Sequence, residues 1–589
     1  MLDKKGLTNL FETIAEKHTA EYSNIASALT REGFEIATRK GSSLSLSDLQ
    51  SPIDKKKEVA ELQKEISVIK KKNLSKDKEQ SDIFDAFNDF HKQYENKILA
   101  EGLKNNKTLA KVVLSGSRAS PAQYRTTVGL AGIVNDAHGQ PMLDDPILNS
   151  FAEGLSLPDY MRHSFVARSS EVSKKLSTAD SGYFSKQLSR GSMTLKIEEH
   201  DCGTDNGIEA DTSDRHSIGC YLAKATRGYN KNNEITPTVL NDLKNKKVEH
   251  IIVRSPITCQ SSRKFHQGAL CQLCAGKREK GLPEVGSYVG ISAASGLGEA
   301  LSQATMNVRH NIGATKANVV SGFKLIDQMA NIPTAFQGKA PLAGEDGIVE
   351  DVKSSSAGGH FVVINEKEYY VPTGFEVKVH KGQRVEAGDV LSEGIINPAE
   401  VVQLKGVGEG RKYFTEAMKS AFDEAGLPIN RRNFEVISRA AIDHVKITSP
   451  TGVGNHLPDE VVSYSAIEKD YHPRPGNKLV RIDQALNKYL EVPVLHYTIG
   501  TRLTSRMLDK LKEHHIDSVT VHDDPPPFEP LMVRLLDVPE HVPDWMHQLY
   551  STYLERRLLN EVNAGSSSSL EGPSPIAGLA YGVGFGVRK

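Results

Sequence analysis

Hydrophobic positions recur at helical spacing most clearly between residues 53 and 103. Val59, Leu62, Ile66 and Ile69 follow 3-4-3 steps with Lys and Glu between them. After the polar break NLSKDKEQSD come Ile83, Phe87, Phe90, Tyr94 and Ile98 at 4-3-4-4 steps. Two apolar stripes joined by a polar loop predict an antiparallel helical hairpin packed seam to seam. Upstream, residues 1–52 read as helix and then loop, with a helix end near 34–41 and a polar turn closing at Pro52. The period shortens between 335 and 400. Residues 347–349, 360–365, 369–372 and 375–380 alternate, and 382–391 reads as turn, strand, turn, strand, which predicts a small β-barrel or sandwich. Residues 411–425 return to helix, and 434–449 read as helix and strand. Residues 466–589 are mixed and polar, with Pro525-Pro526-Pro527 and a serine run at 566–569 that suits a flexible linker. Long helical stretches and short β-runs in one chain predict a multidomain α+β fold.

Composition narrows the classes. The 589 residues suggest three to five domains, and 38% apolar with 25% charged residues is ordinary for a soluble protein. A net charge of −1 provides no global basic field, so any nucleic-acid surface has to be local. No apolar run approaches the roughly 20 residues of a membrane span. The first residues, MLDKKGLTNLFETIAEKH, lack a signal-peptide apolar core. Five cysteines, three of them close together, fit a metal site in a reducing compartment better than a disulfide framework, so a cytoplasmic location is expected.

Three stretches carry candidate chemistry. Cys271-Gln272-Leu273-Cys274 is a C-x-x-C knuckle, with Cys259 upstream and Cys202 further upstream beside Gly203. Four thiolates close a tetrahedral zinc site and leave no open position for catalysis, which predicts a structural metal on Cys202, Cys259, Cys271 and Cys274. Cys220 is left over as a core thiol. Residues 109–134, LAKVVLSGSRASPAQYRTTVGLAGIV, allow a helix to begin at Ser120-Pro121. Gly129 and Gly132 give one face little bulk, suited either to another helix or to a flat ligand. Residues 293–318, AASGLGEALSQATMNVRHNIGATKAN, suit a helix that is easily melted by its glycines. They form either a surface helix stopped at Gly313 or an element that folds over a substrate and brings Arg309 and His310 to an anionic group. Arg162, His163 and Arg168 read as a solvated helix face.

Taken in order, these pieces resemble the C-terminal half of the β′ subunit of multisubunit, bacterial-type DNA-dependent RNA polymerases. GFEIATRKGSSLSLSDL resembles the segment before the secondary-channel coiled coil, and SGSRASPAQYRTTVGLAGIV resembles the bridge helix. EEHDCGT, RSPITC and CQLC resemble the zinc region, and GLGEALSQATMNVRHNIG resembles the trigger loop. The resemblance divides the chain into a funnel-like helical segment (1–52), the coiled-coil hairpin (53–104) and the bridge helix (105–136). A helical and loop connector (137–200), the zinc-binding region (201–285) and the trigger loop with its helices (286–335) follow. The rest is a β-rich barrel-sandwich module (336–404), a helix-and-strand module (405–465) and a divergent C-terminal region with a flexible tail (466–589).

The resemblance implies nucleotidyl transfer from NTPs. Met306 is expected on the nucleobase, Gln303 at the sugar, His310 on the β-phosphate, and Arg309 as a counter-charge where the family has Arg and this chain has Asn307. Arg118, Gln123, Arg125, Thr126 and Thr127 are expected along the RNA–DNA hybrid. The family's N-A-D-F-D-G-D loop is absent, so the catalytic Mg2+ falls to a separate N-terminal β′ chain, beside structural Zn2+ in this one. The further partners implied are one or more β-type subunits, whole or split, a promoter-specificity factor, DNA template and RNA transcript, with no membrane. Pro121 is expected to kink the bridge helix. Compact, split, divergent subunits of this kind resemble those of giant tailed phages, placing the protein in the host cytoplasm or the virion. A zinc-stabilised scaffold or polymerase-binding regulator, and a half-subunit of a cellular or organellar polymerase, are the alternatives.

Overall fold

The computed structural model describes residues 3–41, 43–72, 76–137, 140–278, 281–307, 322–356, 358–449, 456–542, 563–565 and 567. The chain divides into two compact units, Met1–Leu176 with Met306–Val319, and Ser177–Thr305 with Val320–Lys589.

In the first unit, α1 (Lys4–Lys17) and α2 (Tyr22–Lys40) precede the hairpin of α3 (Lys55–Lys70) and α4 (Lys76–Lys104). Leu62 and Ile69 of α3 and Ile83 and Phe87 of α4 are buried in one cluster. Steps of three and four residues stack such side chains on one helix face. Further along α4, Tyr94 and Ile98 pack with Ala110 and Val113 of α5 (Thr108–Ser115) and with Tyr124 and Val128 of α6 (Pro121–Val128).

The single helix expected over 105–136 is not formed. Gly116 closes α5 in the left-handed region at φ 69°, and Ala119 stands at φ 60°. Ser120 then caps α6: its Oγ accepts from the Gln123 backbone N–H at 3.2 Å, while Gln123 Oε1 accepts from the Ser120 N–H at 2.9 Å. With Pro121 at the first helical position, its missing N–H deletes no intrahelical bond, so the expected kink has no cause. The small face beyond it is filled by α4. A Cβ on Gly129 would come within 2.7 Å of the Tyr94 ring, and one on Gly132 within 2.5 Å of His91 Nε2. The long helix lies instead at α7 (Leu157–Ser192), 36 residues within the expected connector, or about 54 Å at 1.5 Å per residue.

In the second unit, β1 (Lys196–Glu199) pairs in parallel with β4 (Ala269–Cys271), and β2 (Ile208–Asp211) pairs antiparallel with β3 (His250–Val253). Between β2 and β3 lies α8 (Pro237–Asn245), and α9 (Gln272–Ala275), α10 (Val289–Asn307) and α11 (Gly322–Asn331) follow. Two glycines let α10 lie close against the end of α7. A Cβ at Gly298 would meet Ser185 Oγ at 2.1 Å, and one at Gly290 would meet the Ser192 carbonyl at 1.8 Å.

β5 (Gly347–Ser354), β6 (His360–Ile364), β7 (Lys367–Val371) and β8 (Arg384–Val385) form one antiparallel sheet in the order β7-β6-β5-β8. Val349, Val362, Ile364, Val371 and Val385 are its buried face. It is a half-barrel sheet, where the alternation predicted a barrel or sandwich. Then come α12 (Pro398–Lys405), α13 (Val407–Glu424) and α14 (Arg431–Ala441). Phe414 and Phe422 of α13 share a core with Phe434 of α14, Met329 of α11 and Leu297 and Leu301 of α10.

β9 (His444–Ile447), β10 (Val461–Ser463), α15 (Tyr464–Asp470), β11 (Lys478–Arg481), β12 (Tyr489–Leu490), α16 (Ser505–Glu513), β13 (Ser518–His522) and β14 (Phe528–Leu531) complete the described elements. They form two sheets, β10-β9-β14 and β11-β13-β12. The second packs on a core that includes Leu490, Leu508, Leu511 and Val521, in a region whose sequence reads only as mixed and polar, and that also takes in Ala223 and Ile252. Among the described residues, no helix is long and apolar enough to cross a membrane.

Candidate metal centre and neighbouring elements

The parallel pairing of β1 with β4 sets Glu199 opposite Cys271 and so brings Cys202, just past β1, to the knuckle. The one-turn helix α9 folds Cys274 back over Cys271, whose sulfur accepts the Cys274 backbone N–H at 3.3 Å. Cys259 Sγ accepts the Cys271 N–H at 3.3 Å. Ligand atoms of all four cysteines lie within 4.8 Å of one another, and all four side chains are buried. Cys202 and Cys274 sulfurs stand 3.8 Å apart, matching the spacing of about 3.8 Å that a tetrahedral site with zinc–sulfur bonds of about 2.3 Å requires.

The electrostatics suit the same occupant. Hydrogen bonds from Cys259, Cys271 and Cys274 drive the Cys202 thiol far below its ordinary pKa, while burial drives Cys259 and Cys274 far above theirs. Four crowded, dry sulfurs cannot all carry negative charge by themselves, and a divalent cation bound among them would neutralise that charge and displace the remaining protons. Arg254, 1% exposed, supplies further positive charge. Its Nη2 donates to Cys202 Sγ at 3.1 Å and to Cys274 Sγ at 3.5 Å, and its Nη1 meets Asp201 Oδ1 at 2.6 Å. Burial opposes that charge, but the sulfurs of Cys274 and Cys202 outweigh it and raise the guanidinium pKa. Sequence reasoning passed over Arg254. The only signal was its place five residues ahead of Cys259 in RSPITC. Cys220 lies in a separate core with Ile208, Leu222 and Leu240, its thiol pushed up to about 12 by burial.

The other candidates are dispersed. Gln303 is exposed on α10, its Nε2 donating to Glu299 Oε1 at 3.4 Å. Met306 and Asn307 end α10, and their side chains lie outside the described residues, as do Arg309 and His310 altogether. Arg118 is exposed in the turn between α5 and α6. Arg125 is 2% exposed: its Nε meets Glu95 Oε1 at 2.9 Å, and its Nη1 donates to the Leu130 and Ala131 carbonyls at 3.1 and 2.9 Å. Thr126 is buried too, while Gln123 and Thr127 are half-buried. Both threonine hydroxyls donate to the Gln123 carbonyl, at 3.0 and 2.8 Å.

Residues 154–354, which run from the start of α7 through the cysteine cluster, α10 and α11 into β5, match the family described as RNA polymerase Rpb1, domain 5. The resemblance is therefore to the largest-subunit class of multisubunit RNA polymerases. More particularly, the chain is similar to the DNA-directed RNA polymerase subunit beta' of Caldanaerobacter subterraneus subsp. tengcongensis, 26% identical over 515 residues, covering 81% of this chain and 43% of that protein. The beta' subunit of Caldicellulosiruptor saccharolyticus is 27% identical over 500 residues, covering 80% and 42%. That of Tropheryma whipplei is 26% identical over 499 residues, covering 80% and 38%. The chain spans less than half the length of these curated relatives, and it is homologous to part of β′.

Proposed function

We propose that this chain is the C-terminal part of a split β′ subunit and supplies the movable elements of a DNA-directed RNA polymerase. The observation that carries the proposal is collinearity: one matched stretch includes a long helix, the cysteine cluster and the two helices α10 and α11 on either side of residues 308–321. In this reading the RNA 3′-hydroxyl attacks the α-phosphate of a paired NTP and pyrophosphate leaves. The catalytic Mg2+ would be held by a partner chain and would supply charge stabilisation for that transfer. Gln303, Met306 and Asn307 at the end of α10, with Arg309 and His310 beyond it, close on the nucleotide: Met306 packs on the base, and His310 and Arg309 meet the phosphates.

The role of a helix bordering the hybrid passes from 105–136 to α7. Leu157, Met161, Phe165, Val172, Leu176 and Tyr183 are all exposed and fall within about 100° of arc at 100° per residue, a stripe suited to other surfaces of an assembly. Arg118, exposed in the turn, is placed for backbone contacts to nucleic acid, while Gln123, Arg125, Thr126 and Thr127 hold α6 in place. Zn2+ on the four cysteines is structural. The partners are an N-terminal β′ chain, β-type subunits and a promoter-specificity factor. The compact, split and divergent character of the chain favours a giant-phage enzyme acting in the host cytoplasm or carried in the virion.

In the assembled enzyme, His310→Ala and Arg309→Ala should each lower the elongation rate about 10- to 100-fold. Unchanged elongation and NTP affinity would sink the trigger-loop assignment. Purification of the native complex should also recover a partner carrying the Asp-rich loop.

A further inference from the structure

Two stretches of the second unit repeat each other. Residues 221–253 and 489–521 align without a gap, each position meeting the one 268 further on (221 to 489, 253 to 521). Tyr221-Leu222, Tyr229, Thr236, Leu240 and Leu243 recur as Tyr489-Leu490, Tyr497, Thr504, Leu508 and Leu511. The backbones agree further. The isolated bridges Tyr221–Glu234 and Thr226–Tyr229 recur as Tyr489–Arg502 and Val494–Tyr497. Thr236 caps α8 by accepting from the Val239 N–H, and Thr504 caps α16 by accepting from the Met507 N–H. Arg227 and Lys247 are left-handed at φ 44° and 57°, and their counterparts Leu495 and His515 both stand at 55°. Left-handed φ is uncommon for such side chains, so matched occurrences mark a shared backbone rather than a generic strand–helix–strand. The leading strands keep the register too: Ile208 pairs with Val253 as Lys478 pairs with Val521.

The two copies are docked. Asn206, just ahead of β2, donates Nδ2 to the Pro493 carbonyl at 3.1 Å and accepts the Leu495 N–H at 3.0 Å. Lys510 Nζ of α16 meets Glu209 Oε2 of β2 at 2.9 Å. Ala223 and Ile252 of the first copy are buried in the same cluster as Leu490, Leu495 and Leu508 of the second. The first copy also links two members of the cysteine cluster, since Cys202 lies just before β2 and Cys259 just after β3. The second copy's loop, through Leu495 and Tyr497, joins Asn206 and Cys259 in lining a cavity of about 20 Å³.

We infer that residues 478–522 are a second copy of the 208–254 module, docked on the first as an internal partner, and that this copy braces the chain segments carrying Cys202 and Cys259. The bracing, unlike the duplication and docking, rests on reading the four cysteines as a metal centre. Releasing a metal requires a ligand segment to swing away, and a partner clamped to the module between two ligands opposes that opening.

The test uses the full zinc-loaded chain and two readouts: hydrogen exchange across 208–253, and zinc transfer to a chromophoric chelator. Leu511→Ala loosens the second copy without touching the cysteines. Val362→Ala, in the half-barrel, is the control. Leu511→Ala is expected to speed exchange in β2 and β3 and zinc transfer by about tenfold, and Val362→Ala to change neither. Lys510→Met, which removes one tie, is expected to act in the same direction more weakly. If Leu511→Ala speeds exchange only within 489–521, the docked-partner inference is overturned. If β2 and β3 loosen but zinc transfer keeps its rate, docking stands and the bracing is overturned.

Discussion

His444 lies in β9 with 1% of its surface exposed, and among the described residues neither ring nitrogen has a hydrogen-bond partner. Burial, with the His541 ring 5.6 Å away, holds its pKa down to about 4 against an ordinary 6.5. The unfolded chain therefore takes up a proton that the folded chain refuses. The associated stability is complete above pH 6.5 and is lost as pH falls toward 4, at about 1.4 kcal/mol per pH unit. Urea unfolding between pH 7 and 4.5 should show at least that slope, because burial also holds His91 down to about 3, and His444→Leu should lower it. An equal slope in the variant would exclude His444 as its source. Residue chemistry was only partly legible in the sequence, because spacing shows what a side chain can do but not which neighbour claims it. Arg125 is expected along the RNA–DNA hybrid, yet Glu95, thirty positions upstream, and two carbonyls occupy it. Arg254 looked like nothing in particular and proves to touch the cysteine sulfurs.

Among the elements, the seam of α3 and α4 was legible because its helical period persists over many turns. The break between α5 and α6 was legible as well, in the Ser120-Pro121 pair, though the resemblance pointed to one continuous helix. Stability measurements separate the two descriptions. Pro121→Ala should shift unfolding by less than about 1 kcal/mol, because the first helical position needs no N–H donor. Ser120→Ala should cost about 1 kcal/mol by uncapping α6. A proline inside a continuous helix would instead reward its removal by about 3 kcal/mol. α7 was legible only as helix within a connector, at Arg162, His163 and Arg168, and its unbroken 36 residues were not, for a different reason. From Leu157 to Tyr183 most of its apolar side chains are exposed, and only near its end, at Phe184 and Leu188, are they fully buried, so no sustained alternation of buried and exposed positions announces its length.

For the whole molecule, the cysteine set could be read from C-x-x-C plus two upstream cysteines, since sulfur chemistry constrains spacing tightly. The order within 466–542 could not, because the repeat keeps only scattered identities while the backbone carries the likeness. Metal removal tests the reading at this scale. A strong chelator should extract one zinc per chain, lower the thermal midpoint of the second unit, and expose Cys202, Cys259, Cys271 and Cys274 to a thiol reagent. Cys220 should stay protected until unfolding, since it is fully buried in another core. Four reactive thiols before chelation would refute a closed site.

The outward stripe on α7 also bears on how the chain is made. Leu157 is 77% exposed and Leu176 62%, so in the assembly proposed above a copy synthesised ahead of its partners would present a ready ligand for chaperones and for other unassembled copies. Recombinant yield should then depend on co-translation with those partners, and a fluorescent apolar dye bound by the solitary chain should be displaced as assembly proceeds.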